Sequence, residues 1–176
     1  MIEDTYISID IETTGKVPSV HKMLSIGAVP IINGEVRKYD GQQWFIDEIN
    51  LDFVDKGGMM PYWDPDTYKW WMEGNKVEWD RLAHNIRDYG KHPSTAIYEF
   101  VEWIHALPGT KIMVADPATF DAGFVWEYIF RWRGQHCIDS IGRMRMVDIR
   151  TMRMMKYNVA YSKAARDLVP ASVTEG

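Results

Sequence analysis

The stretch Thr5-Tyr6-Ile7-Ser8-Ile9-Asp10-Ile11-Glu12-Thr13-Thr14-Gly15 alternates strictly between apolar and polar side chains from Tyr6 to Glu12. A β-strand repeats every two residues, so Ile7, Ile9 and Ile11 share one face and Tyr6, Ser8, Asp10 and Glu12 the other. Two carboxylates thereby lie side by side, about 6–7 Å apart between Cα atoms. Alternation alone also describes an ordinary solvent-facing strand with its polar residues outward. Position separates the two readings: Thr13-Thr14-Gly15 is a tight turn, which puts both acids at the strand's end, where sites are commonly built. Left unpaired in a low dielectric, such acids repel. A cation suited to hard oxygen ligands, Mg²⁺ or Mn²⁺, compensates them.

Working outward, Leu24 to Val29 reads as a buried strand, and Asn33-Gly34 is a two-residue hairpin turn before a strand beginning near Val36. Together these predict an antiparallel meander of about three strands. Residues 47–62 show no period and contain Gly57-Gly58 and Pro61, so they read as loop. Asp64-Pro65 is an N-cap followed by proline, opening a short helix through Trp71 that Gly74-Asn75 ends. A second helix is expected over 76–88 with Trp79, Leu82, Ala83 and Ile86 on one face. A third starts after Pro93-Ser94, where Ile97, Phe100, Val101 and Ile104 form a buried stripe. A strand at 111–115 leads to a helix marked by Phe120, Phe124, Tyr128 and Trp132, with Asp121 in its first turn. Beyond Gly134 the pattern reads as a loop, then a short strand or turn at 146–149 and a basic, Met-rich segment to about 167. Strands first, then helices around a further strand, argue for an α/β or α+β layered domain with a mixed sheet.

Composition bounds the function. The 176 residues, 46% apolar and 26% charged, suffice for one domain, 1–176, and exclude a disordered chain. No run reaches the roughly 18–20 apolar residues of a membrane span, and the first residues lack the basic start and apolar block of a signal peptide. The chain therefore reads as soluble and cytoplasmic, with no membrane partner. Cys137 is the sole cysteine, which excludes an intramolecular disulfide and a Cys-rich zinc site. The five histidines are scattered without metal-ligand spacing, and His21, in a loop, reads as solvated. The net charge of −5 is uneven: residues 131–176 hold 9 Lys/Arg against 4 Asp/Glu. Arg131, Arg133, Arg143, Arg145, Arg150 and Arg153 are either phosphate contacts or a solvated basic face.

Asp10-Ile11-Glu12-Thr13-Thr14-Gly15 resembles the first motif of the DEDD (DnaQ-like) 3′–5′ exonucleases. Asp116-Pro117-Ala118-Thr119-Phe120-Asp121 is similar to their second motif, an Asn, three residues, an aromatic and Asp, with Asp116 standing where Asn is usual. Leu24-Ser25-Ile26-Gly27-Ala28, Trp70-Trp71 and Val147-Asp148-Ile149-Arg150-Thr151 narrow the likeness to the small phage and bacterial exonucleases related to T4 exonuclease A and a mycobacterial 3′–5′ exoribonuclease. The resemblance spans roughly residues 5–155. It implies a ribonuclease H-like mixed sheet flanked by helices, and two-metal hydrolysis of phosphodiesters at single-stranded DNA or RNA 3′ ends.

By that resemblance Asp10, Glu12 and Asp121 are catalytic and hold two Mg²⁺ or Mn²⁺ ions. Thr13, Thr14, Asp116, Phe120 and Arg150 are candidates for contacting the terminal nucleotide, although Phe120 also fits the core. A phage source would imply the host cytoplasm, and the related group's frequent pairing implies a possible homodimer. The third motif, His or Tyr followed by Asp on the last helix, has no match: Tyr157 lacks Asp at the required spacing, and Tyr161 to Asp167 is six positions. The expectation is a domain ending short of the last catalytic helix. The rival reading is a catalytically impaired nuclease fold that binds nucleic acid or a protein partner without cleavage. Asp148 is expected to pair locally with Arg150, and most tryptophans are expected to be packing.

Overall fold

The computed structural model describes residues 4–36, 44–49, 63–140, 145–157 and 160. The alternating stretch forms strand β1 (Asp4–Thr13), with Ile7, Ile9 and Ile11 buried and Tyr6 and Asp10 exposed. It pairs antiparallel with β2 (Met23–Ile32) from Thr5↔Ile32 to Glu12↔Ser25, and the register shifts between Glu12 and Thr13. That shift ends regular pairing where the turn begins.

The hairpin turn is realised as Asn33 at φ 55° and Gly34 at φ 78°. Both central residues thus occupy the left-handed region that a type I′ connection demands. The turn leads into β3 (Glu35–Val36), antiparallel to β2. The expected loop over 47–62 is corrected at its start: β4 (Phe45–Glu48) pairs with β2 at Ser25 to Ala28. A four-residue strand whose Asp47 is buried against Lys91 gives no apolar alternation to read. The remainder, 50–62, lies outside the described residues.

Asp64 caps α1 (Pro65–Lys69) by accepting from the Thr67 amide at 2.9 Å. The helix then widens into a π-helical turn, Trp70–Gly74, before α2 (Lys76–Tyr89). Helix α3 (Pro93–Ala106) begins two residues earlier than the start expected after Pro93-Ser94, because the His92 ring accepts from the Ser94 amide at 3.1 Å and serves as its cap. Strand β5 (Thr110–Ala115) runs parallel to β1, pairing as far as Ser8↔Val114. Helix α4 (Ala118–Arg133) carries the Phe120 stripe, and Gly134 at φ 78° ends it. The loop expected beyond Gly134 is instead a helix, α5 (Gln135–Ser140), too short to show a period. Strand β6 (Arg145–Asp148) pairs parallel with β5, and α6 (Ile149–Tyr157) covers the start of the Met-rich segment.

The resulting order is β3-β2-β1-β5-β6, with β4 also on β2. A mixed sheet flanked by helices is therefore confirmed. Helices α3 and α4 close over the isoleucines of β1 through Ile97, Phe100, Val101, Phe124, Val125 and Ile129. Trp71, Leu24 and Ile86 form a second cluster beneath α1 and α2. Most tryptophans are packing, as expected; Trp70, 52% exposed, is not.

A polar bond ties α4 to β2 inside this core: the Met23 amide donates to the Tyr128 hydroxyl at 2.8 Å. Burial raises the Tyr128 pKa above the ordinary tyrosine value. Tyr128→Phe leaves that amide without its acceptor, which costs about 1–3 kcal/mol. Urea melts should show a lower midpoint with an unchanged m value.

Candidate active site

Three acids converge where β1 outruns β5. Parallel pairing stops at Ser8, so the Ile11 amide, further along β1, has no partner from β5. Asp121, one turn into α4, supplies one: its Oδ1 accepts from the Ile11 amide at 3.1 Å. Asp121 is thereby fixed beside the residue lying between Asp10 and Glu12, although 110 positions separate it from Ile11 in the chain.

The three charges act on one another. Burial, then the charge of Asp10, then that of Asp121 raise the Glu12 pKa from 4.5 to about 7. Burial and the charge of Asp10 raise Asp121 from 3.8 to about 6, with the Ile11 amide working in the opposite direction. Among the described residues, no ion pair involves Asp10, Glu12 or Asp121, and three arginines of the basic segment pair with other acids. Arg150 and Arg153 hold Asp116 at 2.9 and 2.8 Å, and Arg131 holds Glu127 at 2.6 Å. Nor, among the described residues, do three His, Cys, Asp or Glu side chains close into a group that could hold a metal ion. The donor set nonetheless suits a hard divalent cation: three carboxylates, none of them in an ion pair among the described residues.

The turn after β1 is pinned from several sides. Thr14 is fully buried; its amide donates to the Lys22 carbonyl, its Oγ1 accepts from the Lys22 amide, both at 2.9 Å, and its carbonyl accepts from the Asp64 amide at 3.0 Å. Thr13 Oγ1 donates to the Gly15 carbonyl at 2.7 Å, and its carbonyl accepts from Trp71 Nε1 at 3.3 Å. His21 is not solvated as expected. It is 6% exposed, its Nδ1 accepts from the Val17 amide at 2.8 Å, and its ring lies where a Cβ on residue 15 would stand. Gly15 is therefore required by close approach.

Glu12, Thr13, Gly15, Lys16, Thr67, Trp70, Trp71 and Phe120 line a cleft of about 260 Å³. The structure brings Glu12, Thr13 and Phe120 to it, and Phe120 also packs on Phe124 with ring centroids 5.3 Å apart. Thr14 lies beneath, within the turn. Asp116 and Arg150 pair with each other. The local Asp148–Arg150 pairing is corrected in part: Arg150 helps lower the Asp148 pKa, but the Asp148 carboxylate accepts from the amides of Ala118 and Thr151. Sequence reasoning missed Trp70 and Lys16 as cleft residues; the Asp64-Pro65 cap that places α1 next to the Thr13 turn was the available signal. Residues 161–176, including Tyr161 and Asp167, lie outside the described residues, as does Arg143.

The family model of the 3′-5′ exoribonuclease Rv2179c-like domain matches residues 5–171. The chain belongs to this family. No curated protein sequence matches it. Among solved structures, a product-bound exonuclease I superposes with a TM-score of 0.57 at 13% identity, covering 88% of this chain and 32% of that one. E. coli exonuclease I in complex with a dA16 oligonucleotide gives 0.56 at 13%, covering 88% and 30%. The chain thus spans about a third of the exonuclease I length. These likenesses show a DnaQ-like fold, related to that of 3′–5′ exonucleases. Among the described residues, no helix is long and apolar enough to cross a membrane.

A carboxylate whose native pKa is raised weakens the fold as pH rises. Between the unfolded value near 4.5 and the native value of about 7, the folded state holds the extra proton. The contribution of Glu12 to stability is therefore full below the lower value and lost as pH passes through the upper one. Glu12→Gln removes this dependence. In EDTA its Tm should exceed that of the native chain at pH 8, by about 2–4 °C per kcal/mol relieved. The difference should shrink toward pH 4.5.

Proposed function

We propose that this domain is a metal-dependent 3′–5′ exonuclease acting on single-stranded DNA or RNA ends. The observation carrying the reading is the coupling of the Glu12 charge to those of Asp10 and Asp121, with Asp121 bonded to the Ile11 amide and, among the described residues, no ion pair to any of the three. Those three carboxylates would hold two Mg²⁺ or Mn²⁺ ions. When bound, such ions supply charge neutralisation at the scissile phosphate and acidify water at neutral pH. The protein's own part is to keep three acids in one place at that cost in repulsion, and to present the chain end to them.

The cleft beside Glu12 supports the second task. Trp70 is exposed and sits edge-on against the buried Trp71, with ring centroids 4.8 Å apart. Trp71 is in turn bonded to Thr13, so the exposed indole stands on a fixed base. In this reading a terminal nucleobase lies against Trp70, and Lys16, whose nearest acids are 3.7–3.8 Å away, faces its phosphates. Exonuclease I in complex with an oligonucleotide lends the fold a precedent for single strands.

The test uses a 5′-labelled oligonucleotide with Mn²⁺. Stepwise shortening from the 3′ end is expected, abolished by EDTA and by Asp10→Ala, Glu12→Gln or Asp121→Asn. Trp70→Ala should lower kcat/KM about 5- to 150-fold, since one stacked base is worth roughly 1–3 kcal/mol. Binding of the oligonucleotide without shortening at any divalent concentration would support the non-cleaving alternative instead.

A further inference from the structure

Asp148 ends β6 and opens α6, and it serves two helices at once. Its Oδ1 accepts from the Thr151 amide at 2.7 Å and from Thr151 Oγ1 at 2.9 Å, which caps α6. Its Oδ2 accepts from the amide of Ala118, the first residue of α4, at 2.9 Å. Helix α4 has Pro117 at its own cap position, with no side-chain acceptor to offer. Its N-terminus is therefore capped from 30 residues away.

The same junction is gripped a second time. Asp116, at the end of β5, accepts from Arg150 Nε and Arg153 Nη1, and its side chain is only 10% exposed. Both arginines belong to α6. The two grips bracket Pro117, and Asp121 follows three residues after Ala118. Charge-assisted bonds of this kind are stronger than neutral ones, and the paired arrangement on one carboxylate adds directional restraint.

We infer that α6 is a positioning clamp for Asp121. Asp148, Arg150 and Arg153 hold the start of α4 at the place where Asp121 reaches the Ile11 amide, and Arg150 acts through Asp116 rather than on substrate phosphate. This gives a physical reason for an acid at 116, where the resembling motif has Asn: an amide would remove the charged acceptor that both guanidinium groups share. The catalytic consequence rests on the proposed nuclease reading; the geometric one does not.

The experiment is run on the full chain carrying Arg150→Met and Arg153→Met. Amide exchange followed by NMR reads the geometry, because Asp121 is the acceptor for the Ile11 amide. Exchange at Ile11 should accelerate at least about tenfold, while amides of the β1–β2 ladder keep their protection. On a single-stranded oligonucleotide with Mn²⁺, kcat should fall about 10- to 100-fold with KM and salt dependence unchanged, as expected for an angstrom-scale displacement of a reacting group. A rise in KM with the salt slope reduced by about one per arginine removed would overturn the clamp in favour of phosphate contacts. So would unchanged exchange at Ile11. Should the double variant fail to fold, Arg150→Lys, which keeps the charge and loses the Nε bond, should give the same pattern at smaller amplitude, with the same overturning results. If no oligonucleotide is cut by the native chain, the nuclease reading falls and the Ile11 exchange still decides the clamp.

Discussion

The site depends on one hydrogen bond between a helix and a strand end, from the Ile11 amide to the carboxylate of Asp121. In a mixed sheet a central strand that outruns its parallel neighbour exposes backbone donors, and a buried donor left without an acceptor costs about 1–3 kcal/mol. Here a helix side chain fills the gap left by β5, so an otherwise structural requirement draws a third carboxylate to the end of β1. The buried isoleucines of β1 fix which face the strand turns to the core, and hence where Asp10 and Glu12 stand. A one-residue slip in register would reverse both. Fold and candidate chemistry are in this sense set by the same strand.

The electrostatic arrangement runs against stability. Glu12 and Asp121 are both pushed toward their neutral forms, first by burial and then by the charges around them. A domain shaped by stability alone would have turned an arginine toward them. Instead Arg150 and Arg153 hold Asp116, Arg131 holds Glu127, and Arg133 lies 3.9 Å from Glu102 with its guanidinium over the Tyr98 ring. The basic segment 131–176, legible in the sequence as a candidate polyanion surface, is at these positions engaged with the protein's own acids and rings. Charge counting along a chain cannot show this, because pairing is decided by the fold.

What the sequence made legible was local. Period 2 in residues 6–12, the Asn33-Gly34 turn, the Asp64-Pro65 cap and the four-residue spacing from Phe120 to Trp132 each depend on neighbours within a few positions, and each stands in the structure as read. The candidate acids were legible for the same reason, as two short motifs. What escaped was short or non-local. Strand β4 has four residues and α5 has six, too few for a period. His92 capping α3, His21 packed against Gly15, and Asp148 reaching Ala118 are side-chain to backbone or ring contacts that no residue type announces, and two of them replace the solvated or locally paired roles such residues ordinarily take.

The turn that follows β1 shows how the two kinds of information combine. Thr13-Thr14-Gly15 is readable as a turn, but its rigidity comes from residues far along the chain: Trp71 bonds its first carbonyl, Asp64 its second, and the His21 ring fills the space beside its glycine. The π-helical turn Trp70–Gly74 matters for the same reason. Two adjacent tryptophans on a helix cannot both face inward, so when Trp71 is drawn to Thr13, Trp70 is left facing solvent beside Glu12. An exposed indole is otherwise a liability on a soluble surface. Its exposure at the cleft beside Glu12 follows from the same bond that steadies the turn, so that the indole proposed to receive a nucleobase and the feature that stiffens the carboxylate strand have a common structural cause.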